Sequence, residues 1–185
     1  MRFIGIDPSL SRTGVCCLDK DNVDVTSITV PRKLSVFERQ MAMVRRVCGL
    51  LKKGDVVALE EFGVSARFAP SGRFVERIEI CGMLKVYIPA ITGMMWFSVP
   101  PNLLKSFVAG KASARKTDVV DCVRNSWKVD VHNDDEADAF GLAKYVKVVV
   151  ENDIKHKQKV EKFLQFPGNR CALASVRFLT SPLTS

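Results

Sequence analysis

The stretch that decides the fold is the opening one, Met1-Arg-Phe-Ile-Gly-Ile-Asp-Pro-Ser-Leu-Ser-Arg-Thr-Gly14. A short apolar run (Phe3, Ile4, Ile6) ends on a single carboxylate, Asp7, and breaks at once into a turn at Pro8 and Ser9. An apolar run bounded by turn residues is how a buried strand ends. A carboxylate at such an end costs free energy unless it is paired or faces a cation. Asp7 therefore needs a partner from elsewhere in the chain.

Residues 2–6 form the first predicted strand, followed by strands at 14–18 and 23–30 with Gly and Asp between them suited to hairpin turns. Ser35-Val-Phe-Glu38 reads as a capping box, and Phe37, Met41, Val44, Cys48 and Leu51 follow at helical spacing. Lys52, Lys53 and Gly54 carry the chemistry of a helix C-terminus, so that helix is expected to end there. Residues 56–59 make a short apolar strand with Glu60 and Glu61 at its carboxyl end. An exposed loop over 63–73 and a helix from about 74 to 87, stopping before Pro89, come next. A strand at 95–99, a short helix at 103–108, a small-residue loop at 109–114 and a helix at 115–127 follow. The last helix runs from 135 to about 150, with Ala139, Leu142, Ala143, Val146, Val149 and Val150 as its apolar face. The order β-β-β-α-β-α-β-α-α predicts an α/β fold, a mixed sheet flanked by helices in a single domain. After Asp153 the pattern fails: 156–159 is polar and basic, Pro167 and Gly168 mark a turn, and 181–185 looks frayed. Residues 1–153 are thus expected to be the folded domain and 154–185 a basic C-terminal extension.

A chain of 185 residues is long enough to bury a sound core as one domain. Its 47% hydrophobic and 26% charged content is that of a soluble globular protein. No basic stretch followed by an apolar one opens it, so no secretory signal is expected. Residues 86–104 lack charge, but Pro89, Gly93, Pro100 and Pro101 interrupt them, which predicts a turn and a buried strand rather than a membrane span. The six cysteines (Cys16, Cys17, Cys48, Cys81, Cys122, Cys171) lack CxxC spacing and read as reduced core thiols of a cytoplasmic protein. Two histidines, His132 and His156, give a zinc site little support. The formal charge of +8 points to a polyanionic partner, nucleic acid foremost, although many basic proteins bind none.

Acidic residues in comparable settings are Asp7, Glu60 and the cluster Asp134-Asp135-Glu136-Ala137-Asp138. On a helix, residues three apart lie about 60° from one another, so Asp135 and Asp138 can face a common point. Asp134 and Asp138 can do so as well, and spacing alone does not choose between them. Carboxylates converging from two strand ends and a helix N-terminus suit Mg²⁺, which prefers hard oxygen ligands and supports two-metal phosphodiester hydrolysis. The plainer alternative makes residues 134–136 first-turn acids favoured by the helix dipole and Glu60 a solvated strand end. Asp138 argues against it, because it sits between Ala137 and Ala139 where the apolar face begins.

Gly5-Ile-Asp-Pro8 with Thr13-Gly14, Val57-Ala-Leu-Glu60, residues 110–119 with Lys116, and Asp135-Glu-Ala-Asp-Ala139 together resemble the RuvC-type Holliday junction resolvases of the RNase H-like superfamily. Order and spacing match over roughly residues 1–150, and the Asp-Pro-Ser-Leu wording is closer to phage-encoded members. The resemblance implies an RNase H-like sheet and metal-binding, catalytic roles for Asp7, Glu60, Asp135 and Asp138. It favours Asp135 over Asp134, since the family spacing is Asp-x-x-Asp. It implies Mg²⁺ as cofactor, with Mn²⁺ as a substitute. Lys105 and a catalytic Lys116 match lysines near the scissile phosphate, where an ammonium neutralises developing charge. It also implies a homodimer that nicks opposite strands of a four-way DNA junction, in the cytoplasm (the host's, for a phage-encoded chain). Departures are Ser9 where the family carries glycine, and Phe62 and Phe68 where it places one loop aromatic.

Arg67, Phe68, Arg73 and Phe74 interleave charge with aromatics on the expected loop, a mixture suited to phosphate contact and base stacking. Lys105, Lys111, Arg115 and Lys116 surround a small-residue loop that lets backbone approach phosphate closely. Solvated charge is the alternative for both groups, and for residues 155–162. A strand, Asp, turn and Thr-Gly also occur in actin-like phosphotransferases, but those need two large lobes that this length does not supply. A non-catalytic junction binder would be expected to have lost a carboxylate, and none is missing. A less selective nuclease acting on forks and flaps remains the closest competitor.

Overall fold

The computed structural model describes residues 1–61 and 72–151. Phe62, Arg67, Phe68, Cys171 and the extension expected at 154–185 lie outside the described residues, and Arg73 is described by its backbone alone. Three strands, β1 (Arg2–Asp7), β2 (Arg12–Asp19) and β3 (Asn22–Thr29), form an antiparallel meander. After helix α1 (Val36–Cys48), β4 (Val56–Glu60) returns parallel to β1 on its free side, and β5 (Phe97–Val99) lies parallel to β4. The sheet is five-stranded and mixed, in the order β3-β2-β1-β4-β5.

That order positions the acids. Parallel neighbours end on the same side of a sheet, and Ile6 stands in register with Leu59, so Asp7 and Glu60 are each the next residue along. Side chains alternate across a strand. Phe3 packs into the core beneath the later helices, while Ile4 and Ile6 enter the opposite core with Met43, Val44, Val47, Ile80, Leu84 and Ile88. Both faces are covered, which explains why β1 and β4 read as continuous apolar runs.

The capping box forms as expected: Ser35 Oγ accepts from the Glu38 amide at 3.3 Å and the Glu38 carboxylate accepts from the Ser35 amide at 2.9 Å. Two expectations about this helix are corrected. It ends at Cys48, where the Gly49 amide reaches Arg45 O at 2.9 Å, and not at Gly54. Leu51 is buried from beyond the helix, so apolar spacing outlasts the helical backbone. Phe37 is 65% exposed, and the buried face is Gln40, Met43, Val44 and Val47. Gln40 holds its buried place by donating to Glu79 of α2 (Gly72–Thr92), a pairing that an apolar count cannot register.

Helix α2 runs through Pro89 instead of stopping before it. Proline removes only its own N–H bond here, and the last turn is closed by Thr92 Oγ1 donating to Ile88 O at 2.8 Å and the Gly93 amide donating to Pro89 O at 3.0 Å. Gly93, at φ 73°, then turns the chain. β5 begins at Phe97, later than expected, and the three helices expected after it follow: α3 (Pro101–Ala109), α4 (Lys116–Asn125) and α5 (Asp134–Val150). The uncharged segment 86–104 thus holds the end of α2, β5 and the start of α3. Among the described residues no helix is long and apolar enough to cross a membrane. Cys16, Cys17, Cys48, Cys81 and Cys122 are free thiols, the first and fourth buried.

Candidate active site

The site begins with two missing side chains. A Cβ on Gly5 would lie 2.0 Å from Ala139 O, and one on Gly14 would lie 2.0 Å from Asp135 O. Only glycine permits that approach. The first turns of α5 therefore rest directly on β1 and β2, and Asp135 and Asp138 come within electrostatic reach of Asp7. Asn133 caps the helix by accepting from the Glu136 amide at 3.0 Å.

Asp7 and Glu60 are 2% and 7% exposed. Burial pushes both carboxyls above the usual range, and Arg77 opposes this in each. The negative charge of Asp7 raises Glu60 further. Arg77, on α2, bridges them: one Nη lies 2.5 Å from Asp7 Oδ1 and 2.8 Å from Glu60 Oε2, while Nε donates to Pro8 O at 2.7 Å. Asp138 is pushed up to about 7, first by burial and then by the charge of Asp7, with Lys116 pulling the other way.

Lys116, the first residue of α4, places Nζ 2.5 Å from Asp134 Oδ2. That hydrogen bond raises its ammonium pKa, helped by the charges of Asp134, Asp138 and Asp7. Arg12 takes the other side of the helix start, pairing with Asp135 through Nε and with Asp134 Oδ1 through Nη2 at 3.1 Å. Asp134 and Asp135 thus share one guanidinium. Glu136 has a different job: its carboxylate accepts from the Ser27 hydroxyl at 2.7 Å and the His132 amide at 2.7 Å. Burial raises its pKa, but those bonds outweigh it and leave the group below the ordinary value.

The structure therefore brings Asp7, Glu60, Asp135, Asp138 and Lys116 into one electrostatic cluster. Lys105 on α3 is half-buried and Lys111 is exposed on the loop before α4. Arg115 is exposed and spends its guanidinium on Asp118 at 3.0 Å, its local capping partner. Sequence reasoning missed Arg77 and Arg12. Arg12 lies in the opening stretch, two residues before Gly14; Arg77 carries no sequence signal, because its role depends on which face of α2 meets the sheet.

Among the described residues no three acids, cysteines or histidines stand together as a ready metal cage. The donor chemistry nonetheless fits a hard divalent cation. The ligand atoms on offer are carboxylate oxygens, and the buried acids raise one another's pKa, which marks a deficit of positive charge.

No protein-family model matches this chain. Crossover junction endodeoxyribonuclease RuvC of Methylobacterium radiotolerans is 26% identical over 151 residues, covering 77% of this chain and 71% of that protein. The same enzyme of Rhodopseudomonas palustris (strain TIE-1) is 29% identical over 150 residues, covering 77% and 84%. That of Prochlorococcus marinus is 27% identical over 153 residues, covering 77% and 96%. Among solved structures, Thermus thermophilus RuvC superposes with a TM-score of 0.62 at 20% identity, over 82% of this chain and 97% of that one. The same protein in complex with its Holliday junction substrate gives 0.61, over 77% and 90%. Sheet order and flanking helices define an RNase H-like fold. Within that class the chain is similar to the RuvC-type Holliday junction resolvases, at distant identity over most of its length.

Proposed function

We propose that this protein is a Mg²⁺-dependent endonuclease that resolves four-way DNA junctions by paired symmetric nicks. The observation that carries the reading is the convergence of Asp7 and Glu60, from parallel strand ends, with Asp135 and Asp138, from a helix seated on two glycines. Those carboxylates would hold the metal, with Mn²⁺ as a substitute. When bound, the metal activates water and stabilises the leaving oxygen of a phosphodiester. Lys116, in the field of Asp7 and Asp138, neutralises charge that develops on the phosphate. Lys105, Lys111 and Arg115, with Arg67, Phe68 and Arg73, would contact the DNA. A junction offers two equivalent strands, so symmetric cutting calls for a homodimer. Val75, Ile78, Val86 and Tyr87 leave exposed apolar surface on α2 that is compatible with one.

The test is cleavage of a labelled four-way junction in Mg²⁺ beside matched duplex, fork and flap substrates, with Asp7→Asn as control. Paired nicks confined to the junction support a resolvase, while comparable cutting of forks and flaps moves the assignment to a general branched-DNA nuclease. Asp7→Asn should abolish cleavage and leave junction binding intact or tighter; equal loss of both would count against the metal-site assignment.

A further inference from the structure

Arg77 fills the space between the two most buried acids of the site. One of its nitrogens sits 2.5 Å from Asp7 Oδ1 and 2.8 Å from Glu60 Oε2. Mg²⁺ takes carboxylate oxygens as its ligands, and the guanidinium already engages Asp7 Oδ1 and Glu60 Oε2, oxygens that such an ion would claim. Arginine and metal therefore compete for the same oxygens. The competition is built in, because Nε is anchored to Pro8 O at 2.7 Å and α2 packs against β4 and α1. A buried carboxylate pair left without any cation would be strongly destabilised.

We infer that Arg77 is an internal counter-cation that holds Asp7 and Glu60 together in the metal-free protein and that a divalent metal must displace to occupy the site. The inference rests on the metal-site reading above and adds a threshold to it. Metal binding has to exceed the strength of a two-carboxylate salt bridge, so affinity in the absence of DNA is set lower than the acids alone would give. The metal-free chain, in return, keeps its acids in place rather than repelling one another.

The experiment is calorimetric titration of the DNA-free protein with Mn²⁺, for the wild type, Arg77→Met, Arg77→Lys and Asp7→Asn, with thermal melts in EDTA and in saturating Mn²⁺. Arg77→Met should bind Mn²⁺ at least about tenfold more tightly than wild type, which corresponds to about 1.4 kcal/mol. It should also melt lower in EDTA and gain more on adding the metal. Arg77→Lys, which keeps a charge without the fork, should fall between the two. A measurement on the wild type covers the case in which Arg77→Met does not fold: the ¹⁵N–¹H signal of Arg77 Nε should shift on Mg²⁺ saturation as its anchor is released. Equal Mn²⁺ affinity in wild type and the Arg77 variants, or an Arg77 signal unmoved by saturating Mg²⁺, overturns the inference and leaves the metal site standing. No Mn²⁺ binding by the wild type, or an Asp7→Asn isotherm equal to it, overturns the metal reading and this inference with it.

Discussion

Lys116 reaches the acids from the first turn of its helix, its ammonium bonded to Asp134 and within the field of Asp7 and Asp138. A cation held there ahead of the reaction needs no reorganisation when phosphate charge develops. Lys116→Ala is expected to slow single-turnover cleavage by roughly 10- to 100-fold, with a much smaller change in junction affinity. An unchanged rate would remove it from the site. Asp138 makes a prediction about pH. Its carboxyl is raised to about 7 by burial and the charge of Asp7, whereas the unfolded chain titrates near 3.8. The folded metal-free state therefore holds the proton more tightly. The associated stability is full at low pH, declines above about 4 and is gone once pH has risen through about 7. The metal-free melting temperature should drop between pH 5 and 8, on the order of 5 °C, and Asp138→Asn should flatten that dependence. Asp7, Glu60 and the α5 acids stood out in sequence as a set, three acidic groups at the edges of apolar runs, where Glu60 or the α5 acids taken alone read as ordinary solvated residues. Arg77 did not, since an arginine on a helix is ordinary until a sheet is laid beside it.

Among elements, α5 is the one whose seating decides the site. Gly5 and Gly14 oppose its backbone, which cannot yield, whereas a Cβ on Gly141 would meet the side-chain ends of Leu104 and Val108 at 2.7 Å. Gly5→Ala is expected to destabilise by about 3 kcal/mol or more in urea unfolding, and Gly141→Ala by about 1–2 kcal/mol. Equal costs would mean that α5 is free to shift. Helix existence was readable from apolar spacing, and helix ends were less so. The α1 pattern continued through Leu51 because that residue is buried after the helix has closed at Gly49. The Pro89 stop failed for the opposite reason, since Thr92 and Gly93 supply bonds that complete the turn beyond it. The choice between Asp134 and Asp135 was open in spacing, and the structure ties both to Arg12.

For the whole molecule, a formal charge of +8 coexists with an acidic cluster at the sheet end. On the proposed function, DNA affinity comes from cations outside the cluster, and phosphate neutralisation makes it salt-dependent. Junction affinity should fall with a log–log slope of about −3 or steeper in salt, and Lys111→Ala should lower that slope by about 1. A flat dependence would detach the basic loop from binding. The glycine seat under α5 has one more effect, on how far such a sequence can drift. The interval between sheet acids and helix acids is set by peptide atoms in contact, so no rotamer or change of side-chain volume elsewhere can widen it. Whatever a substitution changes on the outer faces, the interval persists as long as the two hydrogens that set it stay hydrogens.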